Sequence, residues 1–450
     1  MSTSRHSDGS AVLRLVRGLI NRPFVRDVGI LQAGVLVSAG VGFLASIVLA
    51  RTLGAEQYGT YALVVSIGTT IGLLRRLGQD HSATTRLASA IAINDAPAAS
   101  NAVAYFVAIG VWSAVAVLPV AILIAPVAME ALYGSADLGE LLRLYLLPVT
   151  WSVSSATLVL ALQTTRHIKQ LAWLENGSSV LLALAAIAGA LIGANAEAVL
   201  LSQLLASIAI ASISVWGFQW LRQREALMPS IRTLAAAVIR PRFPVWRATR
   251  AGLAMALDKN LATIYPLFPV LFLGAVAATN DVADLRIALS YIAIPALLLA
   301  PISRLLMVKL PEVHARTPER LPSFFRSVSL TGMLVSIALT LPFAVGAPWL
   351  LVTLYGAAYN ASVPLAMILA VDSALLGFGL AAGPLFRTLD RTDLPIRVHV
   401  VVLLIGLPLA FTLIRTTGAI AAAASYVALM LAARIATNAL CWRLLTSVGR

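Results

Sequence analysis

Residues 28–50 contain no charged side chain, and an apolar run of that length can do little except cross a bilayer. At about 1.5 Å per residue, a helix of about 20 residues spans the roughly 30 Å hydrocarbon core. A second uncharged run, Tyr58 to Leu74, follows the polar break "RTLGAEQ". Gly54 and Gly59 are suited to a turn and a helix end, so this stretch reads as a hairpin whose arms both cross the membrane. Composition agrees: 60% of residues are hydrophobic, 12% are charged and mean hydropathy is +0.90. Soluble domains carry about 25% charged residues.

The same reading gives about twelve spans, at 28–50, 58–76, 101–127, 139–162, 170–194, 197–220, 248–273, 283–308, 327–349, 361–386, 396–415 and 418–442. A formal charge of +14 could suggest nucleic acid, but its placement decides otherwise. Arg75, Arg76 and Arg86 follow the second span, a cluster from Arg222 to Arg247 follows the sixth, and Lys309, Arg316, Arg320 and Arg326 follow the eighth. These fall on the side of the N-terminal arginines, whereas the alternate loops hold Glu130, Asp137, Glu197, Asp281 and Asp284, with Arg51 and Arg415 as exceptions. Positive charge concentrates in cytoplasmic loops. Both termini are therefore expected in the cytoplasm, and nucleic acid is not needed as a partner.

The polar, arginine-bearing segment 1–27 reads as a cytoplasmic amphipathic leader rather than a cleaved signal. The basic linker 222–247 separates an N-terminal six-helix lobe, 28–221, from a C-terminal one, 248–450. Within the linker, Ile231 to Ile239 has the pattern of a short amphipathic helix on the inner leaflet. "LYG" occurs at Leu132–Gly134 and again at Leu354–Gly356, each after the third span of its half. The expected architecture is all-α: a polytopic bundle in two pseudo-symmetric lobes, related as parallel repeats.

Charges inside a span usually face water or a partner. Asp258 and Lys259, beside Asn260, lie near the middle of the seventh span, and Asp372 lies inside the tenth, followed by Gly377, Gly379 and Gly383. Arg304 lies in the eighth span, and Arg434 and Asn438 share a face of the twelfth; Arg143 and Arg286 sit near outer ends. The interior excess is positive and favours an anionic ligand, because arginine's planar fork pairs with phosphate and lysine adds a compact charge. The lone Cys441 cannot form an intrachain disulfide, and no Cys/His spacing suggests a metal. Walker, H-E-x-x-H and G-x-S-x-G patterns do not occur, so no cofactor or catalytic group is expected. All outward loops are short, which disfavours a membrane-embedded polymerase or ligase.

"LASIVLARTLGAEQYGTYALVVSIGTTIGLLRRLG" resembles the first helical hairpin of the polysaccharide-biosynthesis flippases of the multidrug/oligosaccharidyl-lipid/polysaccharide exporter superfamily. The shared marks are Ala50-Arg51, Leu53-Gly54 and Tyr58-Gly59. "ALDKNLATIYPLFPVLFLGA" is similar to their seventh helix, "LYGAAYNASVPLAMILA" to the start of their tenth, and "TTGAIAAAASYVALMLAARIATNALCWRLL" to their last. The resemblance implies a non-enzymatic, alternating-access flippase in a bacterial inner membrane. Its cargo would be an undecaprenyl-diphosphate-linked oligosaccharide, an anionic lipid-linked repeat unit for O-antigen or exopolysaccharide. Its partners would be membrane lipid and assembly proteins such as a polysaccharide polymerase. Lipid II flippases of the same superfamily carry further C-terminal helices. A cation-coupled drug or metabolite antiporter of the same fold is the alternative, disfavoured by the arginine excess. On this reading Lys259 holds the diphosphate with Arg304 and Arg434, Arg51 serves as contact, gate or structural residue, and Asp258 or Asp372 exchanges a proton or sodium ion. The cargo would occupy a wet cationic hollow between the lobes.

Overall fold

The computed structural model describes residues 23–75, 79–239 and 245–448; the side chains of 23–31, 74–81, 245–259 and 447–448, and single ones including Arg304, lie outside that description. Most of the leader and residues 240–244 of the linker lie outside it as well. Every described element is helical. Helix α1 is Pro23–Arg75, α2 Gln79–Ala92, α3 Ala96–Tyr133, α4 Ala136–Thr164, α5 Ile168–Gly193, α6 Ala196–Arg224 and α7 Ile231–Ile239. The second half comprises α8 Val245–Val276, α9 Thr279–Arg316, α10 Leu321–Tyr355, α11 Ser362–Ala374, α12 Ala382–Thr388, α13 Asp393–Thr417 and α14 Ala419–Val448.

Helix α1 is a hairpin in all but name. Its backbone leaves the helical region at Gly54, with φ 72° and ψ 172°, a conformation that glycine adopts without a Cβ clash. Beside this break, Gln57 Oε1 accepts from the Ala196 amide at 3.1 Å. Far from it on the first arm, Ser38 Oγ donates to Asn176 at 3.4 Å, and far from it on the second, Asn260 Nδ2 donates to the Leu73 carbonyl at 3.2 Å. Both arms thus run from the Gly54 end of the bundle to the opposite end. Among the described residues, ten helical segments are long and apolar enough to cross a membrane. The first is this double arm, and Asn260–Val276 adds a shorter apolar helix, so the twelve spans expected are accounted for.

Outward faces carry large apolar side chains such as Leu123, Ile192, Val345, Trp349 and Leu404, all exposed. That is the surface of a protein solvated by acyl chains. The repeat is visible in how α3 and α10 end. Each stops on the tyrosine of "LYG", and each following glycine has positive φ, 70° at Gly134 and 105° at Gly356. Each glycine amide also donates to the carbonyl four residues back, Glu130 and Val352 respectively. The echo in the sequence marks a helix end in each half, left-handed at Gly134 (ψ 18°) and extended at Gly356 (ψ 162°).

Between the second and third expected spans the chain forms helix α2. Ala83, Leu87 and Ala90 recur at helical spacing and are buried against α3, so the segment folds by packing and not by crossing lipid. Helix α7 forms at the expected residues, but it lies along α3: Leu234 is buried and Trp112 Nε1 donates to the Val238 carbonyl at 3.0 Å.

Candidate functional site

A cavity of about 320 Å³ opens within the C-terminal lobe, walled by α8, α9, α11 and α14. Its polar lining is Arg286, Ser290, Asp372, Ser373 and Tyr426. The tenth span is discontinuous at this point. Helix α11 ends at Ala374, a 3-10 turn covers Leu376–Gly379, and α12 resumes at Ala382. Glycines permit the break to pack: a Cβ on Gly377 would overlap the Gly332 carbonyl, and one on Gly379 would meet Arg434 Cγ at 3.0 Å. Gly383 faces open space. Broken helices of this kind expose backbone carbonyls near the bilayer centre, where transport sites are built.

One of those carbonyls belongs to Asp372. Arg434 Nη1 donates to it at 2.9 Å and lies 2.8 Å from the carboxylate Oδ1 of the same residue. Both side chains are buried, and among the described residues each is the other's ion-pair partner, which offsets the cost of their desolvation. Two residues assigned separately from sequence, one to substrate and one to an ion, are thus a single unit. An entering cation would have to displace the guanidinium, and an entering phosphate would have to compete with the carboxylate. Arg286, one wall of the cavity, makes no hydrogen bond or ion pair among the described residues. The described charges here are two arginines and one aspartate, net positive.

Arg51 sits at the Gly54 end. Its Nε donates to the Leu354 carbonyl at 2.7 Å and its Nη2 to the Thr353 carbonyl at 2.5 Å. These oxygens belong to the last turn of α10, where carbonyls lack intrahelical partners and the helix dipole is negative. Around this contact Tyr359 donates to the Ala50 carbonyl at 2.7 Å, Ser46 and Tyr355 hydroxyls lie 2.9 Å apart, and Gly59 abuts the Thr279 backbone. Burial pushes the Tyr359 hydroxyl above the ordinary tyrosine range, and the Asp284 carboxylate adds to this, so the tyrosine remains a donor. The lobes are therefore joined at this end through both arms of α1.

The remaining candidates are placed less fully. Asp258 and Lys259 lie on α8 and Arg304 on α9, with their side chains outside the described residues. Arg143 is occupied structurally: its Nε donates at 2.8 Å to the Ile122 carbonyl, which Pro126, four residues on, leaves without an amide donor. Its Nη1 also pairs with Glu140 at 2.7 Å.

Sequence reasoning missed two features. Asp284, assigned to an outer loop, is buried, and its Oδ1 accepts from Ser362 Oγ at 2.6 Å at the start of α11. A second cavity, about 660 Å³, lies within the N-terminal lobe and is lined by Ser113, Trp151, Ser155, Gln163, Ser178 and Ser207 among others. Single hydroxyls scattered over four spans give no local signal. Both cavities lie inside single lobes, whereas the expected cargo hollow lies between them.

No curated protein matches the sequence. By structure, the chain is similar to an inward-facing multidrug resistance MATE family transporter of the MOP superfamily, with TM-score 0.74 and 15% identity over 91% of this chain and 95% of that one. It is similar to the lipid II flippase MurJ in an inward closed conformation, with TM-score 0.72 and 10% identity over 93% of this chain and 87% of that one. An outward-facing MATE family transporter of the MOP superfamily matches with TM-score 0.64 and 13% identity over 94% of this chain and 96% of that one. The family described as polysaccharide biosynthesis protein matches residues 24–308. The chain is a multi-pass membrane protein with the fold of MOP superfamily transporters, and it belongs to the polysaccharide biosynthesis protein family.

Proposed function

We propose that this protein is a flippase that moves undecaprenyl-diphosphate-linked oligosaccharide repeat units from the cytoplasmic to the outer leaflet by alternating access. The observation that carries the reading is the charge around the C-terminal cavity of a protein in this family, where Arg286 lies beside the Asp372–Arg434 pair. Arg286 and Arg434 outnumber Asp372 around the broken tenth span, where a diphosphate has charge to neutralise and an organic cation has little. Lys259, from the neighbouring wall α8, and Arg304, on α9, complete the proposed phosphate contacts. Asp258 is the proposed coupling acid, since Asp372 already holds a cation.

Positive charge in alternate loops assigns the Gly54 end to the outer face. With the lobes joined there, the state described has its outer end closed.

The test is translocation of a fluorescent undecaprenyl-diphosphate disaccharide in proteoliposomes. Lys259→Ala is expected to abolish transport with unchanged expression and reconstitution, and imposed proton or sodium gradients should change the rate. Full activity of Lys259→Ala removes that residue, and a wild-type protein that exports a cationic drug but leaves the lipid in place overturns the reading in favour of an antiporter.

A further inference from the structure

The N-terminal cavity is not accounted for by phosphate chemistry. It is walled by α2 to α6, and its volume of about 660 Å³ falls within the roughly 300–1,000 Å³ typical of small-ligand sites. Its walls are neutral and hydroxyl-rich, with Glu175 as the one charged residue among them. The state of the hydroxyl protons is informative. Ser113 Oγ donates to the Gly110 carbonyl at 3.0 Å, Ser155 Oγ to Ser152 at 2.9 Å and Ser207 Oγ to Leu204 at 2.6 Å. With their protons directed into their own helices, the Ser113 and Ser155 oxygens are left as acceptors at the cavity wall, while Ser207 Oγ accepts from Trp151 Nε1 at 3.2 Å.

That pattern selects a ligand. An anion needs donors and would face acceptors. A metal or organic cation would need carboxylates, and one exposed glutamate at the edge does not form a cage. An acyl chain would leave a row of hydroxyls without partners. A saccharide supplies donors all round its ring. Trp151 adds the other half of such a site: its Nε1 donates to Ser207 Oγ at 3.2 Å, which pins the indole between α4 and α6. The ring's flat apolar face then complements the C–H side of a pyranose. Gln163, exposed at the edge, offers both an amide donor and a carbonyl acceptor.

We propose that the N-terminal cavity is a saccharide-binding site that takes the sugar portion of the cargo, apart from the cationic contacts for its diphosphate. This rests on the flippase reading above and assigns the two chemical parts of the cargo to different lobes. The lobe that reads the sugar would set which repeat unit is moved.

The test compares two lipids in nanodiscs: undecaprenyl diphosphate, and the same lipid carrying a disaccharide of the cell's own repeat unit. Ser155→Leu and Ser113→Leu fill the cavity without placing a polar group in lipid, and Trp151→Phe removes the pinning hydrogen bond. Each is expected to weaken binding of the glycosylated lipid about tenfold, the effect of one or two lost hydrogen bonds, and to leave the bare lipid within about twofold. Ser155→Ala, which keeps the space, should have a smaller effect. Equal weakening of both lipids, or no weakening of either, overturns the saccharide site and leaves the flippase reading standing. Wild-type protein that binds neither lipid overturns the flippase reading itself.

Discussion

Arg51 and Leu354 belong to different lobes and are joined by a 2.7 Å hydrogen bond from a guanidinium to a main-chain oxygen at the end of a helix. Arg51 also reaches the Thr353 carbonyl, so its fork satisfies two oxygens that the helix cannot satisfy itself. Arg51→Lys keeps the charge and loses the fork, and Arg51→Ala loses both. Because the side chain is exposed, about 1 kcal/mol is expected for Arg51→Ala, or roughly a fivefold shift away from the state closed at this end. Spin labels on either side of the seam, read by pulsed electron resonance, would show a larger population of long distances. An unchanged distribution would mean that the contact follows closure without holding it.

Asp372 and Arg434 are expected to show strong non-additivity. Arg434→Leu alone leaves an uncompensated buried carboxylate and should destabilise the protein by about 3–5 kcal/mol. Pairing it with Asp372→Leu should recover much of the loss, because both desolvation penalties disappear together. Thermal unfolding in detergent, run as a double-mutant cycle, measures the difference. Additive effects would show that the pair is not coupled.

The two "LYG" stops should differ in sensitivity. Gly134 has φ 70° and ψ 18°, a left-handed conformation that alanine adopts at about 1 kcal/mol. Gly356, at φ 105° and ψ 162°, occupies a region essentially confined to glycine, and Gly356→Ala should cost about 1–3 kcal/mol. Neither glycine has a neighbouring atom within 4 Å of an added Cβ, so the loss is backbone strain and not a clash. Melting temperatures of the two alanine variants should rank in that order.

Arg143 and Pro126 form a conditional pair. Arg143→Ala should lower stability by about 1–3 kcal/mol, since it strands the Ile122 carbonyl. In a Pro126→Ala background, where residue 126 regains an amide, the same substitution should have much less effect. A cycle measured by chemical denaturation would decide it, and equal losses in both backgrounds would rule out the explanation.

What the sequence made legible was local. The uncharged run 28–50, the glycine break and the charge alternation suffice for spans and hairpin, because each depends on residues adjacent along the chain. The short helix Ile231–Ile239 and the repeated stop were readable for the same reason. Helix α2 was not, since its apolar face is narrow and its burial depends on α3. Asp284, at the very edge of the 283–308 span, is counted with the loop acids, because its burial comes from contact with Ser362, 78 positions away at the start of α11. The union of Asp372 with Arg434, 62 positions apart, and the hydroxyl-lined cavity depend on which helices meet, which periodicity does not encode. A count of interior charges does not reveal which of them are already paired, as Asp372 and Arg434 are.

The grip of Arg51 on backbone oxygen has an evolutionary consequence. Side chains at 353 and 354 can drift without loosening the seam, since any residue there offers the same carbonyl. The constraint is displaced onto whatever makes the helix terminate at that height, and a lengthening of α10 by one turn would bury both oxygens in its own ladder and leave the arginine nothing to hold.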